Sequence, residues 1–279
     1  MYEPDLKEVF RGALSPSTPD VHYVTEFRYP ERGGFAGFLE GFAAETDLRL
    51  GWEVTRIDPV TRQVHMASKP PVAYEHLISS IPLPELIPMI QGVPDDVVEA
   101  VGRLAATECV VVNLGIDRED VADTHWTYFY DPEISFARLS YPSRFAPANA
   151  PEGTGSFQAE VYFSEKYRPR RHAPEEWIDP VVADLRKTGL IRDGDEILLT
   201  CAWLIPYANI IFDLDRAAAL ETVHGFLQDV GIRYCGRYAL GLPLDGRRLQ
   251  ERRGSGPGGA GLHLHRERSD SLIASVKSD

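Results

Sequence analysis

Residues 27–35 read FRYPERGGF and residues 236–238 read GRY, and these two stretches decide the fold that the sequence predicts. In the first stretch, an aromatic run enters a pair of glycines, Gly33 and Gly34, ahead of an apolar helix. Adjacent glycines let a backbone approach a flat ligand where a Cβ atom would collide, and the following helix N-terminus offers unpaired N–H donors. The stretch therefore predicts a turn whose backbone can approach a ligand closely.

The next segment alternates apolar and polar residues. Residues 48–59 predict two short strands separated by a break, and residues 64–67 can return antiparallel. Residues 76–82, HLISSIP, then predict a buried strand that ends in a small-residue turn before proline. Taken alone, this order also fits an ordinary β-hairpin on any α/β domain.

The middle of the chain is dominated by strand patterns. Two short helices are predicted at 84–90 and 94–103, and a third helix begins at Pro174. Strands are predicted at 108–116, 124–130, 134–141, 155–163 and 196–204. These elements predict a mostly antiparallel sheet backed by helices.

In this order, residues 21–238 resemble the flavin-dependent amine oxidase superfamily, which includes protoporphyrinogen oxidases and UDP-galactopyranose mutases. The resemblance implies an α+β (α/β) fold in which a substrate-binding sheet domain is inserted into an FAD-binding domain. The implied divisions are a lead segment at 1–20, a partial FAD-binding domain at 21–82, the sheet domain at 83–210, and a return to the FAD-binding domain at 211–238.

The resemblance also implies which residues contact FAD. Gly33 and Gly34 approach the cofactor, and the backbone of Val54 pairs with adenine. Gly236 and Arg237 meet the pyrophosphate and ribityl region, where glycine permits close approach and Arg237 offers a delocalised cation.

The predicted substrate-binding residues are Tyr128, Arg138, Arg144 and Tyr162. Tyrosine hydroxyls can orient a ligand, and a diphosphate would pair bidentately with arginine. Glu160 is an equally good partner for an arginine on an apolar strand, and each aromatic also fits a packed core. The sequence identifies no catalytic residue and no metal site.

Two features depart from the family pattern. The superfamily opens with a strand, a G-x-G-x-x-G turn and a helix, and this arrangement does not occur in the sequence. The glycine run at residues 254–259, GSGPGG, has the spacing, but no strand pattern precedes it and Pro257 interrupts it, so we expect FAD binding by this chain alone to be weak. Residues 239–279 match no helix or strand pattern of the family and are predicted to be a disordered tail. We hypothesise a frameshift near Leu240, because the alternative reading frame of allowed codons can encode a family-like ending.

Composition restricts the partners. A net charge of −13 argues against nucleic acid or an anionic membrane, and no apolar run approaches the ~20 residues of a membrane span. The three cysteines are widely spaced, which indicates neither a zinc site nor a disulfide framework. We expect a cytoplasmic protein with a small-molecule substrate, and self-association through an exposed sheet edge at the strand of residues 76–81.

Three functions remain open. The first is an FAD-dependent oxidoreductase of the amine oxidase or protoporphyrinogen oxidase type, in an incomplete copy. The second is an isomerase like UDP-galactopyranose mutase, which uses reduced flavin. The third is a non-catalytic fragment that binds no flavin by itself.

Overall fold

The computed structural model describes residues 6–15, 27–239 and 271–274, which form a mixed α+β structure with two hydrophobic cores. The helices are α1 (Leu6–Leu14), α2 (Glu40–Glu45), α3 (Leu83–Met89), α4 (Asp95–Gly102), α5 (Pro142–Phe145), α6 (Ile178–Lys187) and α7 (Arg216–Asp229). Short 3₁₀ helices lie at Gly34–Leu39, Pro147–Asn149, Pro174–Trp177 and Arg237–Ala239.

The strands make three sheets. They are β1 (Val54–Asp58), β2 (Gln63–Met66), β3 (Val72–Ala73), β4 (His76–Ser79), β5 (Ala106–Ile116), β6 (Trp126–Tyr128), β7 (Arg138–Ser140), β8 (Gly155–Phe163), β9 (Ile197–Ile210), β10 (Ile232–Tyr234) and β11 (Ser271–Ala274). Their orders are β1-β2-β3, β10-β4-β11 and β6-β7-β8-β5-β9.

The first core joins the two small sheets to α3, α4 and α7. Strand β1 buries Val54 and Ile57, and its antiparallel partner β2 buries Val64 and Met66. Helix α7 contributes Ala219, Leu220, Val223 and Leu227. This spacing places the four side chains on one stripe of the helix, so α7 closes the core as an amphipathic helix does.

Helices α3 and α4 belong to this first core. The expected domain boundary after residue 82 would place them with the inserted sheet, but Leu86 and Ile87 of α3 and Val97 and Val101 of α4 are buried in the first core. An amphipathic pattern predicts that a helix has a buried face without stating which neighbour covers it. The chain passes to the second core only after Leu104.

Strand β4 is paired along both edges. Its parallel partners are β10, with Ile232 opposite Leu77, and β11, with Leu272 opposite Leu77. The exposed edge expected here is therefore filled, although the Ile78 side chain is exposed. Residues 271–274 form a strand where a disordered tail was predicted, because their backbone completes the ladder of β4. The rest of that predicted tail beyond Ala239 lies outside the described residues.

The second core lies on one face of the five-stranded antiparallel sheet. Alternate residues of β5, namely Val110, Val112 and Leu114, pack with the buried residues Val181 and Leu185 of α6. Because side chains alternate along a strand, the intervening residues of β5 project from the opposite face of the sheet. That opposite face carries the candidate site.

One lysine ties the chain segments where the two cores meet. Lys166, which follows β8, donates from Nζ to Asp213 at 2.9 Å, to Asp215 at 2.7 Å and to the Arg103 carbonyl at 3.2 Å. Asp215 lies immediately before α7 and Arg103 follows α4. The sheet is thereby fastened to two helices of the first core.

No helix in the described ranges combines the length and the apolar character that crossing a bilayer requires.

The placement of α4 generates a matched test of stability. Val101→Ala removes two methyl groups from the first core and should lower the free energy of unfolding by roughly 1.5–3 kcal/mol. Val98→Ala is the control, because Val98 lies on the same helix and is exposed. Urea denaturation of both variants measures the difference, and equal losses would show that α4 does not close this core.

Candidate functional site

A row of side chains crosses the open face of the five-stranded sheet. The strand registers place Tyr128 of β6 opposite Arg138 of β7, Arg138 opposite Glu160 of β8, Glu160 opposite Val111 of β5, and Val111 opposite Trp203 of β9. Residues that are opposite in register share one face of a sheet. The charged pair therefore lies in the middle of the row, with an aromatic side chain at each end.

The centre of the row is a network around one carboxylate. Arg138 donates from Nη2 to Glu160 Oε1, and the Tyr162 hydroxyl donates to Oε2. The Glu160 side chain is 7% exposed and that of Arg138 is 38% exposed. A carboxylate at this depth is stabilised by the charge-assisted bonds it accepts.

Burial and the Glu160 charge set the protonation of the neighbouring groups. Burial, reinforced by the hydrogen bond to Glu160, raises the pKa of Tyr162 well above its usual value. Burial and the nearby Glu160 charge raise the pKa of the Cys109 thiol to about 12. Tyr162 and Cys109 are therefore neutral at physiological pH, and the face presents one fixed ion pair.

A second, uncharged row lies beside the first. Gln158 of β8 donates from Nε2 to Asn113 Oδ1 of β5 at 2.9 Å. In register, Ser140 of β7 lies opposite Gln158, and Trp126 of β6 lies opposite Ser140. This row adds hydroxyl and amide groups that can orient a polar ligand.

An aromatic cluster fixes the Gly33–Gly34 segment beside the β6 end of this face. The Phe27 ring lies 4.9 Å from His125, 5.7 Å from Trp126 and 5.7 Å from Phe145, measured between ring centroids. Tyr29 lies 5.2 Å from Phe145. Residues 27–29 therefore pack beside the β6 edge of the five-stranded sheet, and the glycine pair follows four residues later.

The backbone at the glycine pair requires glycine. Gly33 has φ +78° and Gly34 has φ +61°, values in the left-handed region that side-chain-bearing residues rarely adopt. A Cβ on Gly34 would meet no heavy atom nearer than the Tyr29 hydroxyl, at 3.7 Å. The turn is thus left-handed and uncrowded, so a flat ligand can approach its backbone.

The Gly236–Arg237 turn is held by internal contacts. A Cβ on Gly236 would collide with the Tyr234 side chain and would lie 2.8 Å from the Ser80 carbonyl oxygen. Glycine is therefore needed for packing against the Tyr234 ring and the chain that leaves β4. Arg237 donates from Nη1 to the Ala208 carbonyl near the end of β9 and is exposed to solvent. Its guanidinium tethers the turn to the sheet.

The other predicted residues lie on separate elements. Val54 is buried in β1, which is at one end of the order β1-β2-β3. Arg144 lies on α5 next to Phe145 of the aromatic cluster, and its side chain is exposed. The structure thus brings Arg138 and Tyr162 to Glu160 and places Tyr128 opposite Arg138, whereas Arg144 lies outside that network.

The part of the site that lies on β5 and β9 was not identified from the sequence. Trp203 is exposed on β9 in the same row as Arg138, and Asn113 pairs with Gln158. The alternation of Cys201, Trp203 and Ile205 signals a shared face, but only the register with β5 shows that this face is the one carrying Glu160.

Within the ranges that the structure describes, no group of three or more His, Cys, Asp or Glu side chains is arranged to hold a metal ion.

Comparison with solved structures shows which known folds this chain resembles. No protein-family model matches the sequence, and no curated protein matches it. Among solved structures, reduced UDP-galactopyranose mutase superimposes with a TM-score of 0.69 at 21% identity, over 75% of this chain and 46% of that chain. A putative protoporphyrinogen oxidase from Exiguobacterium sp. 255-15 gives a TM-score of 0.57 at 13% identity, over 74% and 46%.

A third similar structure is the CLA-producing fatty acid isomerase from P. acnes, with a TM-score of 0.53 at 16% identity, over 73% of this chain and 47% of that chain. The chain therefore shares the fold of these solved structures over about three quarters of its length. It spans just under half of the length of these structures.

The residues present fit a flavin in part. The uncrowded turn at Gly33 and Gly34 leaves backbone accessible to a flat ring. At the second predicted contact, the Tyr234 side chain and the Ser80 carbonyl fill the space beside Gly236, and Arg237 donates a hydrogen bond to the Ala208 carbonyl. Among the described residues, the glycine pair is thus the better candidate for a direct contact with the cofactor.

The contrast between the cysteines gives a direct test of the charged face. At about pH 8, near the usual pKa of a free thiol, iodoacetamide should modify the exposed Cys235 readily. The buried Cys109, whose pKa is about 12, should remain unmodified until the protein unfolds. Peptide mass spectrometry over time measures both thiols, and comparable rates would contradict the described environment of Cys109.

Proposed function

We propose that the open sheet face is the substrate-binding wall of an FAD-dependent oxidoreductase of the amine oxidase or protoporphyrinogen oxidase type. The observation that carries the proposal is the half-buried network of Arg138, Glu160 and Tyr162, set between Tyr128 and Trp203 on a face that α6 does not cover. Rigid aromatic walls with a few convergent polar groups are typical of small-molecule sites.

The proposed cofactor contacts come from three elements. Gly33 and Gly34 would approach the flavin through their backbone, and the β1 backbone at Val54 would contact the adenine. Gly236 and Arg237 would contribute at the end of β4. FAD, when bound, supplies the redox chemistry by accepting two electrons from the substrate. The protein's own residues bind the substrate, orient it and exclude water.

The charge on this face supports an amine or neutral polar substrate. Arg138 is already paired with Glu160, so the pair has no net positive charge to offer a diphosphate. Glu160 accepts two hydrogen bonds, whereas an ionised carboxylate has about four lone-pair sites. Glu160 can therefore accept a further bond from a substrate N–H group while Tyr162 and Arg138 hold it in place.

A second candidate is an isomerase like UDP-galactopyranose mutase acting with reduced flavin. The observation in its favour is Arg144, whose exposed side chain forms no ion pair within the described part of the chain. Arg144 and Arg138 would then hold the diphosphate of a sugar nucleotide bidentately. This function requires Arg138 to exchange Glu160 for the substrate.

A third candidate is a chain without catalytic activity by itself. In the superfamily the pyrophosphate sits on a G-x-G-x-x-G turn between a strand and a helix. The glycine run at residues 254–259 has that spacing, but no strand pattern precedes it and Pro257 interrupts it, so FAD would be held by secondary contacts only. This candidate and the first differ in one measurable quantity, the affinity of the purified chain for FAD.

Titration of the purified chain with FAD, followed by flavin fluorescence, tests the cofactor proposal. Gly34→Ala should weaken FAD binding at least about tenfold, because alanine resists the left-handed backbone and occupies the approach to the ring. Gly41→Ala is the control, since a Cβ at Gly41 meets no atom within 4 Å. Equal affinities for both variants would remove the glycine pair from the site, and no saturable binding to the unmodified chain would favour the non-catalytic candidate.

Calorimetric titration with a primary arylalkylamine and with UDP-galactose separates the two catalytic candidates. Glu160→Gln should lower amine affinity about tenfold or more, because a charge-assisted bond is lost. Arg144→Ala should leave amine affinity unchanged. Binding of UDP-galactose that is lost in Arg144→Ala, with no amine binding, would replace the oxidoreductase by the mutase-like function.

A further inference from the structure

Two short helical segments each expose a stripe of large apolar side chains. In α1 the stripe is Leu6, Val9, Phe10 and Leu14, with exposed fractions from 47% to 88%. The spacing of three, one and four residues places all four on one side of a helix. We call this the α1 stripe.

The second stripe lies on residues 35–42, across the 3₁₀ turn Gly34–Leu39 and the start of α2. It consists of Phe35, Phe38, Leu39 and Phe42, with exposed fractions from 46% to 75%. Neither helical segment contains a buried residue. The aromatic cluster holds residues 27–29 against the five-stranded sheet, so the stripe that follows them in the chain lies next to a fixed segment. We call it the phenylalanine stripe.

Helix α1 needs a surface to pack on. It has nine residues, and isolated helices shorter than about 12–15 residues are marginal in water. Its described side chains are exposed or half-buried, so the rest of the described structure gives it little support. Most of the stability of such a helix in a protein comes from packing of its apolar face.

The charges beside the two stripes are complementary. Lys7 and Arg11 are four residues apart, on one flank of the α1 stripe. Glu40 and Glu45 are exposed in the segment that carries the phenylalanine stripe. Packing α1 on that segment therefore brings basic side chains to acidic ones, which favours the contact and its orientation.

The uncovered area suits a dimer. The two stripes together contain four phenylalanines, Phe10 of α1 and Phe35, Phe38 and Phe42 of the phenylalanine stripe. Their exposed surface amounts to roughly 500 Å², if a whole aromatic side chain presents about 200 Å². With the three leucines and Val9, each copy offers about 900 Å², against the ~800 Å² per partner of a standard protein interface. Exchange of both stripes between two copies is isologous and closes on itself.

We propose that two copies of this chain associate by packing the α1 stripe of one copy on the phenylalanine stripe of the other. The contact is made twice about a two-fold axis. It is distinct from the open sheet face and from the edge of β4, and it does not depend on FAD or substrate.

Sedimentation equilibrium across the micromolar range tests the proposal on the full chain. The unmodified protein should shift from monomer to dimer with increasing concentration, and Phe42→Asp should weaken the association at least tenfold. Val60→Asp is the control, since Val60 is a strongly exposed apolar residue in the β1–β2 turn, outside both stripes. A monomer at all concentrations, or equal effects of the two substitutions, would overturn the proposal.

Charge reversal distinguishes exchange between copies from docking within one copy. One protein carries Lys7→Glu and Arg11→Glu, and a second carries Glu40→Lys and Glu45→Lys. Each alone should associate weakly, because like charges meet at both contacts. Mixed together they should form a heterodimer in which opposite charges meet at both contacts. If the mixture stays monomeric although both variants keep the circular dichroism of the unmodified chain, α1 does not dock on a second copy.

Discussion

The antiparallel register between β7 and β8 is the constraint on which the candidate site depends. It places Arg138 opposite Glu160, so an arginine on a largely apolar sheet obtains a carboxylate partner without leaving its strand. A slip of one residue would move Glu160 to the core face beside Val110 and Val112, where a charge has no partner. The ion pair and the register therefore stabilise each other. Burial, together with the neighbouring Glu160 carboxylate, raises the pKa values of Tyr162 and Cys109.

The site is further defined by how the sheet meets the first core. Strand β9 pairs with β5 from Ile197 to Ile210. Near the end of β9, the Tyr207 hydroxyl donates a hydrogen bond to Glu85 of α3 at 2.8 Å. Arg237 reaches the same end of β9 at Ala208. At the β6 end, the aromatic cluster holds the segment that leads to Gly33 and Gly34. The open face thus lies between two elements that were both predicted to approach a cofactor.

Much of the strand framework follows from alternation alone. Strands predicted at 108–116 and 155–163 are observed as Ala106–Ile116 and Gly155–Phe163, because β-branched runs bounded by turns are strong strand signals. The strand predicted at 196–204 continues to Ile210, because its pairing with β5 extends to Ala106 opposite Ile210. Residues 134–141 yield only Arg138–Ser140, because Ile134 and Ser135 belong to the turn that packs toward α6.

The candidate site was predictable in composition but not in arrangement. Aromatic and arginine side chains on adjacent strands indicated a binding face, and Glu160 was recognised as one of two possible partners for Arg138. Only the register between β7 and β8 shows that Arg138 pairs with Glu160 and not with a ligand alone, and this register depends on contacts between residues distant in sequence. The placement of α3 and α4, and the contribution of Trp203, likewise depend on contacts between residues distant in sequence.

A double-mutant cycle between Arg138 and Glu160 tests the central claim most directly. Arg138→Met, Glu160→Gln and the double variant are compared with the unmodified chain by urea denaturation. A coupling free energy of about 1–2 kcal/mol is predicted, which allows for the partial exposure of Arg138. A coupling near zero would contradict the account, because the two side chains would then not form the pair that organises this face.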